Sequence, residues 1–358
     1  MLQFTTRRLF LLIPVVLGIM LVVFIIVREI PGDPCTAMFG EKATPAICAK
    51  FKERYGLNDN IIIQFGRYLF QAVQGNFGDS IQYSRPVIQY VSERLPMTFE
   101  LTVGAMIFSS IFGVLLGIIS ALRRNSIIDT LTMILANIGI SMPIFWLGLM
   151  LAYVFALVFK GTFLYIPPSD RLSPGLSVPA LATVWHLQNL PAIPKLLLSF
   201  VSHSVILNSL LTGNFAILKD ALWHLILPCV AVGTIPMAII ARMTRSSLLD
   251  VLGQDYIRTA RSKGLREFLV INKHGLRNAL IPIVTIIGLQ TGGLLSGAVL
   301  TETVFALPGM GTALVAAIQA RDYPVVQGFV IINAFIFVLA NLIVDVSYAY
   351  LDPRIRLE

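Results

Sequence analysis

Long apolar runs separated by polar segments dominate the chain. Six uncharged runs have about the 20 residues that a helix needs to cross a bilayer. They are residues 9–27, 101–122, 131–159, 222–241, 278–301 and 325–344. A seventh run, 196–218, contains several serines and asparagines and His203, and such a polar load makes a membrane crossing costly. The pattern predicts an all-α, polytopic membrane protein with six transmembrane helices.

Basic residues orient this predicted bundle. With six spans and the N-terminus inside, 14 of the 27 Lys and Arg residues fall in short inner segments. They are Arg7, Arg8, Arg123, Arg124, Arg354, Arg356 and eight residues of the 242–277 loop. Positive charge concentrates in cytoplasmic loops, so we expect both termini to be cytoplasmic. Counting 196–218 as a span would put the basic loop outside, so we expect that run to form an outer-face helix that packs on the protein or lies at the interface.

The predicted spans divide the chain into segments. Residues 1–28 form the N-terminal end and first span, 29–98 an outer cap, 99–350 the membrane core, and 351–358 a cytoplasmic tail. The core carries an outer insertion at 160–220 and a cytoplasmic loop at 242–277. No small-residue cleavage pattern follows the first run, so we expect it to remain as a span. Cys35 and Cys48 lie in the cap, where they can form a disulfide or stay as two buried thiols.

Composition supports the membrane class and disfavours several chemistries. The chain is 56% hydrophobic and 13% charged, with a mean hydropathy of +0.80. Its pI of about 9.5 is typical of basic loops beside membrane spans, so we expect no nucleic-acid partner. It contains no phosphate-binding Gly-x-x-x-x-Gly-Lys-[Ser/Thr] loop, no His-Glu-x-x-His and no Gly-x-Ser-Gly motif. We therefore expect no catalytic residues, no cofactor and no metal site in this chain, which disfavours an intramembrane protease.

The 242–277 loop is the most polar part of the core. It holds eight basic residues against three acids, a local net charge of +5. Asp255 is placed to cap a short helix, Tyr256 to Lys263 can form about two turns, and Gly264 can end them. Such a short helix is marginal alone, so we expect a soluble partner to contact it.

Several motifs in order resemble one known family. They include Ile30-Pro-Gly-Asp-Pro34, Ser141-Met-Pro-Ile-Phe-Trp146, Asp255-Tyr-Ile-Arg-Thr-Ala-Arg-Ser-Lys-Gly-Leu265, Arg321-Asp-Tyr-Pro-Val-Val-Gln-Gly328 and Asp352-Pro-Arg-Ile-Arg356. Across nearly the whole chain the sequence is similar to the dipeptide/oligopeptide permease subunits of bacterial ABC importers, in particular to the first of the two permeases. The resemblance implies the type I ABC importer permease fold in the inner membrane. It also implies a second permease subunit, two cytoplasmic ATPases that bind ATP and Mg, and an outer substrate-binding protein.

The resemblance also assigns a role to the loop helix. In the family this segment is the coupling helix that contacts the ATPase. The residues that match it are Asp255, Tyr256, Ile257, Arg258, Ala260, Arg261, Lys263 and Gly264. Against the wider permease signature Glu-Ala-Ala-x3-Gly, only Ala260 and Gly264 fit in this stretch, so Arg258 is not an established equivalent of the signature glutamate. The alternative is an inert basic loop that binds lipid headgroups.

Polar residues inside the spans are candidates to line a pathway, because such groups are expensive in lipid. The candidates are Asn137, Ser141, Gln290 and Asn333, with Glu302 in the outer loop after the fifth span. The alternative is interhelical hydrogen bonding for the amides and a salt bridge or helix cap for Glu302. A stand-alone channel, an ion-driven transporter and a membrane scaffold are the other possible classes. Within the permease class the cargo can be a peptide, glutathione, haem or a metal chelate.

Overall fold

A computed structural model describes residues 2–29, 33–187, 191–295 and 298–351. Helices make up almost all of its regular structure, and no strand longer than an isolated bridge occurs in these ranges. The first half contains α1 Leu2–Glu29, α2 Pro34–Phe39, α3 Pro45–Arg54, α4 Ile61–Val73, α5 Val87–Leu122, α6 Ile127–Ser141, α7 Ile144–Ala152 and α8 Leu181–Val184. The second half contains α9 Ala192–His203, α10 Val205–Leu211, α11 Phe215–Leu252, α12 Asp255–Ser262, α13 Glu267–Leu269, α14 Arg277–Leu295, α15 Val299–Val304, α16 Met310–Gln319 and α17 Tyr323–Leu351. Two π-helical segments continue these elements, Tyr153–Val158 after α7 and Val270–Leu276 before α14.

The two longest helices, α5 and α11, pack side by side and run in the same direction. A Cβ atom on Gly104 would lie 2.5 Å from the Cys229 sulfur, and one on Gly117 would lie 2.6 Å from the Ala241 carbonyl oxygen. Both contacts join residues about 125 positions apart, so the residue numbers of α5 and α11 rise in the same direction along the pair. Small residues allow this close approach, as they do in membrane helix pairs. Parallel helices require an odd number of membrane crossings between them.

That requirement decides which intervening segments cross. Within the described side chains, which begin at residue 13, four helices are long and apolar enough to span a membrane by themselves: Val87–Leu122, Phe215–Leu252, Glu267–Leu295 and Tyr323–Leu342. Two further segments are pairs of helices bent by about a right angle, Ile127–Ser141 with Ile144–Val158 and Pro194–His203 with Val205–Leu211. Both bent pairs lie between α5 and α11, so only one of them can cross.

Glu100 shows that the pair α9–α10 is the one that stays on the surface. Its Oε1 atom accepts hydrogen bonds from the Ser204 hydroxyl at 2.7 Å and from the Ile206 amide at 2.8 Å. Its other oxygen accepts from Arg171 at 2.6 Å. These bonds cap α10 and hold the 160–211 insertion against the first part of α5. We call this end of the bundle the cap side and the opposite end, where α5 and α11 finish, the loop side.

The third predicted span differs from the sequence expectation. A continuous helix over 131–159 is wrong, because the chain bends by 104° between α6 and α7. Pro143 disfavours helical geometry at Met142 and lacks the amide hydrogen that would continue the ladder, so α6 ends at Ser141. The 15 residues of α6 reach only about 22 Å at 1.5 Å per residue, so α7 must complete the crossing. With α1, α5, α11, α14 and α17, this broken span agrees with six crossings.

Buried carboxylates join segments at both ends of the bundle. On the cap side, Asp322 accepts hydrogen bonds from the Ser80 hydroxyl and from the Ile81 and Gln82 amides, which ties the cap to the start of α17. On the loop side, Asp129 accepts two hydrogen bonds of 2.8 Å from Arg245. Buried charges of this kind are stable only when paired.

The cap has its own small core beside α1. Cys35 and Cys48 are joined by a disulfide with Cα atoms 5.5 Å apart. Cys35 packs with Phe51 and Ile81. Helix α4 completes the cap and is amphipathic: Ile62 is 77% and Val73 is 86% exposed on its outer face. Such a face is typical of a helix that lies at a membrane surface.

Candidate functional site

The polar loop predicted at 242–277 is shorter in the structure. Helix α11 continues through Leu252 and extends about 57 Å in total at 1.5 Å per residue, so its last turns project beyond the apolar layer. Arg245 belongs to these turns and is paired with Asp129. The loop-side surface that remains for a partner therefore begins after α11. We call residues 255–269 the docking surface.

A short helix, α12, opens the docking surface. It lies where the sequence predicts one, but its N-cap is Gln254, and Asp255 is its first residue. The expectation that Asp255 caps the helix is therefore wrong, although its carboxylate still lies at the positive end of the helix dipole. After Lys263, Gly264 adopts a φ of +73°, a left-handed conformation that ends the helix and that glycine adopts without a steric penalty.

Two of the predicted coupling residues face inward. Ile257 is fully buried and Ala260 is 8% exposed, and both pack against Leu252 of α11 and Val270. Their side chains therefore pack on this chain, and they hold α12 in place rather than forming its outward face. Their burial attaches α12 to α11 on one side and to the segment leading into α14 on the other. Because helix spacing places residues 257 and 260 on one face, the remaining face is left to solvent.

The outward face of α12 carries the charges. Tyr256 is 44% exposed, and its hydroxyl accepts a hydrogen bond of 3.2 Å from Asn278. Arg258 lies 3.6 Å from Asp255. Arg261 makes two hydrogen bonds to Glu267, at 2.6 and 3.2 Å, and this interaction raises the pKa of Arg261. Exposed pairs of this kind contribute little stability. They keep the cationic side chains in place on the surface.

The docking surface also contains apolar side chains that sequence analysis missed. Phe268 is 74% exposed, Leu269 43% and Leu265 39%. They follow Gly264 directly and flank the Arg261–Glu267 pair. An aromatic ring exposed among charges is typical of a protein-binding surface. The sequence signal was Leu265-Arg-Glu-Phe-Leu269, in which apolar residues interrupt an otherwise polar stretch without helical spacing.

The segment behind the docking surface is closely packed. A Cβ atom on Gly275 would lie 3.3 Å from side-chain atoms of both Leu248 and Leu252. Gly275 belongs to the π-helical segment that runs into α14, and such segments are frequent at functional sites. Helices α11 and α14 therefore meet directly behind α12.

Four of the pathway candidates lie on three membrane helices. Asn137 and Ser141 lie on α6, which packs on α5 and α11, and Gln290 and Asn333 lie on α14 and α17, which pack on each other. The Ser141 hydroxyl donates to the Asn137 carbonyl at 3.2 Å. The Asn333 side-chain oxygen is buried and has no hydrogen-bond partner among the described residues. Among the pathway candidates, Asn333 is thus the one that has a buried side-chain oxygen without a partner in the described part of the chain.

Glu302 has a capping role in the structure. It is fully buried, and its carboxylate accepts hydrogen bonds from the Thr98 hydroxyl at 2.6 Å and from the amides of Gly311 and Thr312 at 2.7 and 3.1 Å. These amides open α16. The structure therefore shows the helix-cap arrangement for Glu302 at the start of α16.

The described helices form a multi-pass membrane bundle with a short projecting helix, and comparison with known proteins shows its family. Residues 113–357 match the family described as binding-protein-dependent transport system inner membrane component, and residues 1–102 match its N-terminal family. The chain is 44% identical to the dipeptide transport system permease protein of Alkalihalophilus pseudofirmus, over 99% of this chain and 100% of the relative. It is 43% identical to the dipeptide transport system permease protein of Escherichia coli K12 and 37% identical to a glutathione transport system permease protein of Salmonella paratyphi A, in each case over 99% of both chains.

The chain belongs to the binding-protein-dependent transport system inner membrane component family. It is a permease subunit of an ABC importer, as the motifs predicted, and its inner-membrane, multi-pass character follows from the same match and from its apolar helices.

Proposed function

We propose that this permease subunit carries dipeptides or related short peptides across the inner membrane together with a second permease subunit. Two cytoplasmic ATPases that bind ATP and Mg drive the cycle, and an outer substrate-binding protein delivers the cargo. The names of the dipeptide relatives support the cargo, since the glutathione relative has a lower identity of 37%. Identity over the full length supports the same subunit position in the assembly.

The docking surface is the observation that carries this proposal. Its helix α12 is anchored from behind by Ile257 and Ala260, so the outward face is presented without support from a partner. The anchor residues contact both α11 and the segment that leads into α14. A displacement of α12 would therefore move two membrane-crossing helices together. This arrangement suits a subunit that receives mechanical work from a separate ATPase.

Charge supports the proposed orientation, with the docking surface and both termini in the cytoplasm. Arg123 and Arg124 follow α5 on the loop side, the same side as Arg258, Arg261 and Lys263. Cations concentrate on the cytoplasmic side of membrane proteins. The parallel arrangement of α5 and α11 places all of them on one side without any use of the charge count.

We propose that the pathway is shared with the second permease. Asn137, Ser141, Gln290 and Asn333 remain its candidate lining residues in this chain. Asn333 is favoured, because a buried amide oxygen with no partner in the described part of the chain can be satisfied by water, cargo or the other permease.

Cysteine cross-linking tests the docking assignment. Tyr256→Cys on the docking surface should form a disulfide with a cysteine placed on the ATPase surface that contacts α12. The yield of this cross-link should change between nucleotide-free and ATP-bound states. Phe163→Cys provides the control, because Phe163 is 89% exposed but belongs to the cap-side insertion. Cross-linking of Phe163→Cys to the ATPase, or none from Tyr256→Cys, would contradict the assignment.

Uptake into right-side-out vesicles, with ATP enclosed and the binding protein added outside, separates the other classes. An importer of this type requires ATP together with the loaded binding protein. Uptake driven by an ion gradient alone would support an ion-driven transporter. Competition between a dipeptide and glutathione for uptake decides the cargo.

A further inference from the structure

A polar pocket and an apolar groove lie end to end along three helices on the cap side. Helix α1 contributes Arg28 to the pocket and Leu17 to the groove, and α17 contributes Gln327 to the pocket and Phe335 to the groove. Helix α4 contributes to both in the same way, and Phe77 lines both. The pocket has a volume of about 150 Å³ and the groove about 600 Å³.

The pocket contains hydrogen-bond donors that lack acceptors. The Tyr68 hydroxyl and the Gln327 side-chain nitrogen are buried and have no partner among the described residues. Burial raises the pKa of Tyr68, so its hydroxyl stays protonated and can donate. The Arg28 guanidinium lies in the same wall, held by a 3.0 Å hydrogen bond to Gln64 and stacked 3.4 Å from the centre of the Phe24 ring. Unpaired buried donors destabilise a fold, so a bound acceptor would stabilise this arrangement.

The pocket also contains an acid. Asp79 lines it, whereas the charge of Arg67 is balanced by Asp59 at 2.8 Å. The remaining charges are therefore one cation, Arg28, and one carboxylate, Asp79. A ligand with one anionic and one cationic group matches this set, and a purely anionic ligand would meet the carboxylate.

The groove has the composition and the depth of one membrane leaflet. Its lining residues on α1, from Met20 to Ile13, are about 12 to 22 Å from Arg28 along the helix axis, and one leaflet of the apolar layer is about 15 Å thick. Ile13 is 53% and Phe335 56% exposed, so the groove is open on the outside of the bundle. The exposed apolar face of α4, with Phe70 68% exposed, places the pocket at the level of the membrane surface.

We propose that this pocket and groove form a binding site for a zwitterionic glycerophospholipid, with its phosphate on Arg28, Tyr68 and Gln327, its ammonium group near Asp79, and an acyl chain in the groove between α1 and α17. Bound lipid would hold α4 of the cap against the first and last membrane helices. The site is separate from the docking surface and does not depend on the identity of the cargo.

Native mass spectrometry of the purified transport complex tests the site. The complex is stripped of lipid in detergent and then titrated with phosphatidylethanolamine, phosphatidylglycerol or soluble phosphorylethanolamine. We expect one phosphatidylethanolamine per copy of this chain, bound at least about tenfold more tightly than the other two. Arg28→Gln should lower the affinity for phosphatidylethanolamine about tenfold or more, which is the loss expected for one hydrogen bond to a charged group. Lys42→Gln, which changes an exposed cap cation outside the pocket, should leave binding unchanged.

Two further measurements keep the proposal testable if Arg28→Gln fails to fold. Leu17→Trp fills the groove and does not change the pocket. It should also lower the affinity for phosphatidylethanolamine. A phosphatidylethanolamine with a photoreactive acyl chain should label wild-type peptides that contain residues 13–20 or 331–338. Equal binding of phosphatidylglycerol, equal binding of soluble phosphorylethanolamine, labelling only elsewhere, or a helix of the second permease cross-linked into the groove would each overturn the proposal.

Discussion

The affinity for the ATPase that is lost on replacing Phe268 measures how much of the docking interaction is apolar. Its side chain is 74% exposed, so its removal leaves almost no cavity in the isolated chain. A phenylalanine presents roughly 200 Å² of surface, and burying about three quarters of it at ~25 cal/mol per Å² yields roughly 3–4 kcal/mol. Alanine retains part of that burial, so Phe268→Ala should cost about 2–3 kcal/mol, or roughly 30- to 150-fold in affinity for the ATPase.

The measurement is a titration of the separate ATPase subunits against the permease pair in lipid nanodiscs. The Phe268→Ala complex should also lose ATP-dependent uptake while each ATPase alone keeps its hydrolysis rate. Phe163→Ala, which removes a still more exposed ring on the cap side, is the control and should bind the ATPase normally. An affinity of the Phe268→Ala permease within about twofold of the wild type would refute the reasoning, because an interface that buries this ring cannot lose it at so small a cost.

Three further predictions concern the bundle. Gly117→Leu should prevent assembly of the permease, because even a Cβ atom there would lie 2.5 Å from Thr244 Cβ, whereas Gly66→Leu, where no atom lies within 4 Å, should leave yield in the membrane unchanged. Arg245→Ala should lower the free energy of unfolding by about 2–3 kcal/mol, since it leaves the Asp129 carboxylate buried without its partner. In thermal unfolding, the double variant Arg245→Ala/Asp129→Ala should recover most of the lost stability. Equal destabilisation in the double variant would contradict the pairing. Cys35→Ser should destabilise the cap by about 3 kcal/mol, the loss expected for a loop of this length, and mass spectrometry of non-reduced wild-type protein that found Cys35 and Cys48 as free thiols would refute the bond.

The family and the class of this protein followed from the sequence because their signals are local. An apolar run of sufficient length is stable in a membrane as a helix whatever surrounds it, since its backbone groups are satisfied within the segment. The polar load of 196–218 was equally local, and it led to the prediction that this run stays on the outer face. The helix of Asp255–Ser262 was also found from its own charges and from Gly264.

The roles of single residues in the site depended on tertiary contacts. Ile257 and Ala260 belong to the matching motif, but whether they face a partner or their own chain depends on Leu252 and Val270, which pack beside them. Phe268 carries no motif, and its exposure became visible only when the neighbouring segments were in place. Periodicity identifies which residues share a face and leaves open what that face contacts.

The sequence alone determined that the chain is an all-helical, multi-pass membrane permease with a short helix in its basic loop, because span length, charge asymmetry and short motifs act over a few residues at a time. The tertiary structure alone decided that α5 and α11 are parallel, that the third span bends by 104° at Pro143, and that Glu100, Asp129, Glu302 and Asp322 are buried junctions. The parallel helices and the buried junctions each join segments tens or hundreds of positions apart. A buried carboxylate is stable only beside its specific donors, and which donors reach it is set by the packing of whole helices.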